Sequence, residues 1–353
     1  MFFMTVGPAP CHEKHDSRTV PLSCFRVNLK VADGCVFSQG IKSANCYTFS
    51  MELRPYTQDA CVCAIGVFDG VHLGHQALLE AALADAAQRG AQALVVTFDR
   101  DPDELFRPDK VHKVLTNEER LEQLARIIPG LLVLPFTREL ASQEWREFLD
   151  GLITRLPGLK AIHVGENFHC GARAGGGVPE ITLWGSEHEV SVVAQPLYLH
   201  EGAPVSASRI RALLAEGAVK QAAELLTRPF ALTGEVVAGA GRGQSLGFAT
   251  ANVKVDGSCA MMGPFVYAAY ALLDGKRHKA AVSIGDPPTY SPETQEFNPF
   301  LFEAHLLDFE GSLYGKELRL EFMEKLRPMR RFESQDELIT TVKENISWVR
   351  NNL

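Results

Sequence analysis

Apolar residues recur in two rhythms along this chain, and the change of rhythm marks a change of architecture. Up to residue 217, short continuous apolar runs alternate with stretches of helical spacing. Cys61 to Phe68 (CVCAIGVF) reads as a buried strand. Between Gln76 and Gln88, Leu79, Ala82, Leu83 and Ala86 fall on one helix face, and Gly90 is a natural stop. Ala93 to Phe98 predicts a second strand. Thr116 with Glu119 forms a capping box before a helix running through Ile128. Strands follow at 131–136, 161–165 and 190–195, with Ser142 opening one helix and Ser208 capping another that ends near Gly217. Strands alternating with helices predict a parallel sheet covered on both faces, with its ligands at the carboxyl ends of the strands.

After Leu226-Thr227-Arg228-Pro229-Phe230 the strands come in direct succession. Ala231 to Val237 leads into a glycine-rich turn. Val266 to Leu273, Asp274-Gly275 and Lys279 to Ile284 make a hairpin. Phe300 to Phe309 and Glu317 to Met323 add strands, and Ser334 with Glu337 caps a terminal helix. Consecutive strands and one helix predict a small antiparallel barrel. The expected organisation is an extension over 1–50, an α/β domain over 51–228 and a β-barrel domain over 229–353.

The first fifty residues show neither period. Met51 runs straight into the first strand. Two readings stay open: Met51 is the natural start after an untranslated or disordered extension, or the extension is a real mobile arm.

Composition narrows the classes. A chain of 353 residues with 46% hydrophobic and 22% charged residues has the make-up of a globular protein. A formal charge of −8 argues against nucleic acid or a membrane surface as partner. No apolar run approaches the roughly 18 residues of a membrane helix. The eight cysteines include no C-x-x-C pair, so free thiols in a cytoplasmic, reducing compartment are expected.

The first strand ends in Gly66-Val67-Phe68-Asp69-Gly70-Val71-His72-Leu73-Gly74-His75. Gly70 and Gly74 let the backbone turn tightly beside a ligand. His72 and His75, three apart at a helix start, share a face. The helix N-terminus adds free N–H groups and partial positive charge. This constellation suits the charge that builds on phosphate during in-line transfer. No lysine-bearing P-loop accompanies it.

This stretch resembles the H-x-G-H signature of the nucleotidylyltransferase superfamily. Its fuller form is similar to that of bacterial bifunctional riboflavin kinase/FAD synthetases. The likeness runs from about residue 60 to the C-terminus. It implies a Rossmann-like adenylyltransferase domain followed by a riboflavin kinase barrel. Riboflavin would be phosphorylated to FMN and FMN adenylylated to FAD, with ATP and Mg²⁺ used in both steps and small molecules as the partners. His72 and His75 would be catalytic, with Gly66, Phe68, Asp69, Gly70 and Gly74 around ATP. Val164 to Gly171 resembles the family's G-x-[DN]-F-x-F-G loop, which puts Asn167, Phe168 and Arg173 at FMN. Val205 to Arg211 resembles S-S-T-R-I-R, which makes Ser206, Ser208 and Arg209 a second ATP grip. In the barrel, Gly241, Arg242, Gly243 and Gly247 resemble the kinase flap. Thr250 and Asn252 stand in its P-T-A-N motif as oxygen ligands of Mg²⁺. Glu303 matches the base that takes the proton of the ribityl hydroxyl. Leu313-Tyr314-Gly315 and Arg327 to Phe332 continue the pattern.

Four departures are visible. Asp101 replaces a histidine and Arg100 a proline in the family's T-F-x-P-H-P, so a carboxylate faces phosphates unless Arg100 or a metal offsets it. Ala207 lacks a hydroxyl, Ala249 replaces a proline, and Ser283 to Thr289 departs from N-I-G-T-R-P-T. Two alternatives follow: a kinase with impaired adenylylation, or a non-catalytic flavin-binding regulatory protein.

Overall fold

The computed structural model describes residues 59–107, 112–128, 130–238, 250–285 and 300–353. The N-terminal fifty residues and Met51 lie outside them.

The α/β part begins with β1 (Cys61–Ile65), α1 (Leu73–Arg89) and β2 (Gln92–Phe98), a βαβ unit with parallel strands in the expected place. A short α2 (Pro102–Phe106), α3 (Asn117–Ile127) and β3 (Leu131–Leu134) follow. Then come α4 (Arg138–Ser142), α5 (Trp145–Arg155), β4 (Leu159–Gly165), α6 (Val178–Glu187) and β5 (Ser191–Gln195). The parallel sheet has the order β3-β2-β1-β4-β5. Its core lies on both faces. Cys63, Ile65 and Ile162 pack toward Leu149 and Trp184 on one side, and Val62, Ala64 and Val95 toward Leu79 and Leu124 on the other.

A two-strand hairpin, β6 (Leu199–His200) and β7 (Ala203–Pro204), precedes α7 (Ala207–Ala215) and α8 (Val219–Leu226). The barrel consists of β8 (Phe230–Val237), β9 (Ala251–Val255), β10 (Phe265–Leu273), β11 (Lys276–Ile284), β12 (Leu301–Leu306) and β13 (Glu317–Pro328). It closes in the order β10-β11-β12-β9-β8-β13, with all its pairings antiparallel. Inward residues alternate strictly along β12: Phe302, Ala304 and Leu306 are buried, and the residues between them are not. The terminal helix α9 (Gln335–Asn352) starts at Ser334, whose Oγ accepts from the Glu337 amide at 3.1 Å.

Two helix starts differ from expectation. Ser142 ends α4 rather than opening a helix. Thr137 caps α4 by accepting from the Leu140 amide, and the next helix starts after Glu144. Ser208 lies inside α7, whose N-cap is Ser206. In both places two candidate caps stand close together, and the one with extended backbone takes the role. Helices α6 and α8 and strand β9 were not anticipated.

The two parts share one core. Ile210, Leu214, Val219 and Leu225 of α7 and α8 cluster with Phe230, Tyr267 and Phe322 of the barrel. Lys113 forms a parallel bridge with Cys259, its amide donating to Ser258 and its carbonyl accepting from Ala260. Cys61, Cys63, Cys170 and Cys259 are free thiols, pushed up by burial. Among the described residues no helix is long and apolar enough to cross a membrane.

Candidate active sites

The loop leaving β1 is left-handed at three residues in four: φ is 61° at Phe68, 81° at Gly70 and 43° at Val71. Such geometry is unfavourable for the β-branched Val71, so the surroundings must impose it. Several groups do. Arg120, almost fully buried, donates to the Val67 carbonyl at 2.9 Å, Thr97 Oγ1 at 2.8 Å and the Phe98 carbonyl at 2.7 Å. Asp69 Oδ1 accepts from the Val114 amide at 2.9 Å and the Leu115 amide at 3.4 Å, while Oδ2 takes Arg211 at 2.9 Å. Gln76 Nε2 donates to the Val71 carbonyl at 2.9 Å.

The loop delivers the two histidines as a pair. His72 is the N-cap of α1, its Nδ1 accepting from the His75 amide at 3.4 Å. That bond leaves the ring proton on Nε2. The imidazoles stack with centroids 3.7 Å apart, and Phe68 meets His75 edge-on. Burial pushes His72 down to about 4, with the charge of Arg228 acting the same way. Burial, then His72, hold His75 well below the usual range. Both rings are therefore neutral at neutral pH. His75 Nδ1 is buried and finds no hydrogen-bond partner among the described residues.

Both rings line a cavity of about 720 Å³, a size suited to a nucleotide or flavin ligand. Of the expected residues, Gly66, Phe68, Asp69, Gly74, Asn167, Phe168, Arg173 and Ser206 also reach its wall. Gly70 does not; it backs onto Val114 and Leu226. Ser208 and Arg209 do not either. Arg209 instead donates to the carbonyls of His200, Ala203 and Pro204, fastening the β6–β7 hairpin. The helix explains this. Ala207 and Arg211, four apart, share the face toward the cavity, and Arg209 is turned roughly 200° away from Ala207. Arg211 was recoverable from that spacing. Arg120 was not, because a charged residue in the second turn of a helix carries no local sign of burial.

Asp101 lines the cavity too. It is the N-cap of α2 in a full capping box with Glu104. Arg100 does not offset it but approaches Asp99 at 3.6 Å. Burial pushes the Asp101 carboxyl up, and Asp103 and Glu104 add to this against the Asp103 amide. Asp69 is likewise raised, by burial first, against the Val114 and Leu115 amides and Arg211.

The second constellation forms by strand register. Glu303 on β12 stands opposite Asn252 on β9 and Ser283 on β11. Thr250 Oγ1 donates to Glu303 Oε1 at 2.8 Å. Four oxygen-bearing side chains, those of Thr250, Asn252, Ser283 and Glu303, are thus gathered on the outer side of the barrel, since the neighbours of Glu303 fill its interior. Hard oxygen donors of this kind fit Mg²⁺. Gly241, Arg242, Gly243, Gly247, Ala249, Pro287 and Thr289 lie outside the described residues.

Comparison with known proteins agrees with this division. Residues 54–209 match the family model of FAD synthetase and residues 226–353 that of riboflavin kinase. The bifunctional riboflavin kinase/FMN adenylyltransferase of Escherichia coli is 33% identical over 284 residues, covering 80% of this chain and 89% of that protein. The enzyme of the same name from Pseudomonas fluorescens is 31% identical over 299 residues, covering 84% and 94%. A solved structure described as a macrolide-efflux protein from Streptococcus pneumoniae superposes with a TM-score of 0.73 at 28% identity, covering 83% of this chain and 94% of that one. With a FAD synthetase domain ahead of a riboflavin kinase domain, the chain belongs to the bifunctional riboflavin kinase/FMN adenylyltransferase family.

Proposed function

We propose that the cavity of residues 51–228 carries out FMN adenylylation and that the Thr250–Glu303 face of residues 229–353 phosphorylates riboflavin. The observation that carries the first assignment is the neutral, stacked His72–His75 pair at the start of α1, with a buried imidazole nitrogen left for a ligand. In that cavity an FMN phosphate oxygen attacks the α-phosphorus of ATP, and the bond to the β-phosphate oxygen breaks to release pyrophosphate. The His72 Nε2–H and the N-terminus of α1 donate toward the charge that grows on the transferred group and on the leaving oxygen. Neutral rings suit this role, since their donor protons stay in place across the physiological range. Arg211 and Arg173 line the same cavity and add positive charge there. Asn167 and Phe168 line the same space and place the flavin.

On the barrel, Glu303 accepts the proton of the ribityl terminal hydroxyl as its oxygen attacks the γ-phosphorus of ATP, and ADP leaves. Thr250 and Asn252 would hold Mg²⁺, which would neutralise charge on the phosphates. The Thr250–Glu303 hydrogen bond fixes the carboxylate beside those ligands. The compartment we propose is the cytoplasm, where riboflavin and ATP meet.

The test is a time course of riboflavin, FMN and FAD with ATP and Mg²⁺. Transient FMN followed by FAD is expected. FMN that accumulates without FAD would remove the adenylylation reading and leave the kinase. Tight flavin binding without turnover would remove both.

A further inference from the structure

Residues 226–228 open the segment that matches riboflavin kinase, yet their contacts are with the loop of the other domain. Arg228 is half-buried, and its guanidinium donates to the Gly70 carbonyl at 2.7 Å and to the Leu226 carbonyl at 2.9 Å. Among the described residues it forms no ion pair. A cation partly withdrawn from water without a paired carboxylate is costly, and this partial burial pushes Arg228 down to about 10. Thr227, itself left-handed at φ 61°, accepts from Gln76 Nε2 at 2.9 Å. The same amide nitrogen holds the Val71 carbonyl. A Cβ placed on Gly70 would stand 3.5 Å from Leu226 Cδ2, so the underside of the loop is closed by the end of α8.

These contacts pin the two carbonyls that directly precede His72, at the positions where the backbone is forced left-handed. Freed from them, Gly70 and Val71 can relax toward ordinary φ, and the His72 ring swings with them.

We propose that Arg228 is a positioning residue for adenylylation, so that the first residues of the kinase segment complete the FAD-forming site. This rests on the assignment of adenylylation to His72 and His75. It explains why the chain carries an arginine at the junction, where a linker would need only solubility. It also makes one reaction depend on a residue from the neighbouring module, with no surface of that module's own site involved.

The experiment uses the full chain with Arg228→Lys and Arg228→Met, and His75→Ala as reference. FMN adenylylation and riboflavin phosphorylation are measured on the same preparations. A misplacement of about 1 Å costs roughly 10²-fold. Arg228→Met is therefore expected to lower kcat for FAD formation by roughly 30–100-fold, with KM for FMN and ATP within about twofold. Lysine keeps the charge and reaches one carbonyl, so Arg228→Lys should recover part of that kcat. Riboflavin phosphorylation should stay within about twofold in both. Adenylylation unchanged in Arg228→Met while His75→Ala abolishes it would overturn this inference and leave the site assignment intact. Equal losses of both activities in both variants would also overturn it, because that marks a general structural role. Full FAD formation by His75→Ala would instead remove the site assignment on which the inference stands.

Discussion

The α/β cavity and the barrel face, the two sites proposed for phosphate chemistry, are assembled by opposite routes. In the cavity, side chains from residues 66 to 211 converge in a buried space, and the histidines and carboxylates there are shifted by burial. Every polar group needs a partner, and the partners come from far along the chain, as Asp69 with Val114 and Arg120 with Val67 show. On the barrel, Glu303, Asn252 and Ser283 meet because three adjacent strands are in register. A slip of one residue there would turn Glu303 into the core. The first site is therefore sensitive to the loss of distant braces, and the second to the pairing of β9, β11 and β12.

Two substitutions break the comparison most directly. His75→Ala removes a cavity imidazole proposed to face the transferred phosphoryl, and FAD formation is expected to fall on the order of 10²–10³-fold. Riboflavin phosphorylation should be unaffected. Glu303→Gln keeps the shape of the barrel site and removes its base. Phosphorylation should fall on the order of 10²–10⁴-fold while FAD still forms from supplied FMN. Chromatographic assay of the three flavins reads both. If either variant lost both reactions, the sites would not be independent in chemistry.

A brace near the flavin end offers a smaller effect. Gly171 has φ 75°, and a Cβ there would lie 2.3 Å from the Trp145 amide nitrogen. Gly171→Ala should lower stability by about 1–3 kcal/mol and raise KM for FMN several-fold, because Phe168 and Arg173 flank this turn. A denaturation curve with a parent-like midpoint would show that the loop yields without strain.

Much of this contrast was legible in the chain itself. The long elements with strong periodicity, α1, β2, the Thr116 capping box and the β10–β11 hairpin, formed where the pattern placed them. What failed was local competition. Ser206 and Ser208 offer the same hydroxyl two residues apart, and Ser206 takes the cap; separately, the motif resemblance placed Arg209 at ATP, whereas Arg211 is the arginine of this helix that lines the cavity. Helix α6 goes unannounced because Gly175-Gly176-Gly177 and Pro179 interrupt any apolar period at its start. In the structure Gly177 is its start, with its amide donated to Glu180 at 3.0 Å. Arg120 and Arg228 escaped for another reason: their partners are backbone carbonyls distant in sequence, and no residue pattern announces a carbonyl.

The buried pair also sets a pH signature. His72 titrates near 4 in the folded chain against 6.5 when unfolded. Between those values the unfolded state binds more protons, so stability is full above about 6.5 and is lost as pH falls toward 4. Asp69 and Asp101, raised above 3.8, act in the opposite sense over part of this window. Asp85 and Glu104, lowered from 3.8 and 4.5, act mainly below it. The urea midpoint is expected to fall between pH 7 and pH 5, and to fall less in His72→Asn. An identical slope in the variant would mean that the imidazole is not held neutral by the fold.

The smallest expected effect concerns Asp101, where this chain departs from its family within the cavity. Its carboxylate caps α2, and asparagine caps a helix start as well as aspartate does. Asp101→Asn therefore removes the charge and keeps the turn. A unit charge about 4 Å from a phosphate costs roughly 1–4 kcal/mol between water and a protein surface, and partial exposure places this site toward the lower end. The KM for ATP in adenylylation should fall about two- to five-fold, with kcat nearly unchanged and phosphorylation unaffected. A rise in KM would carry a different meaning. It would show that the Asp101 carboxyl favours ATP binding in the cavity rather than opposing it.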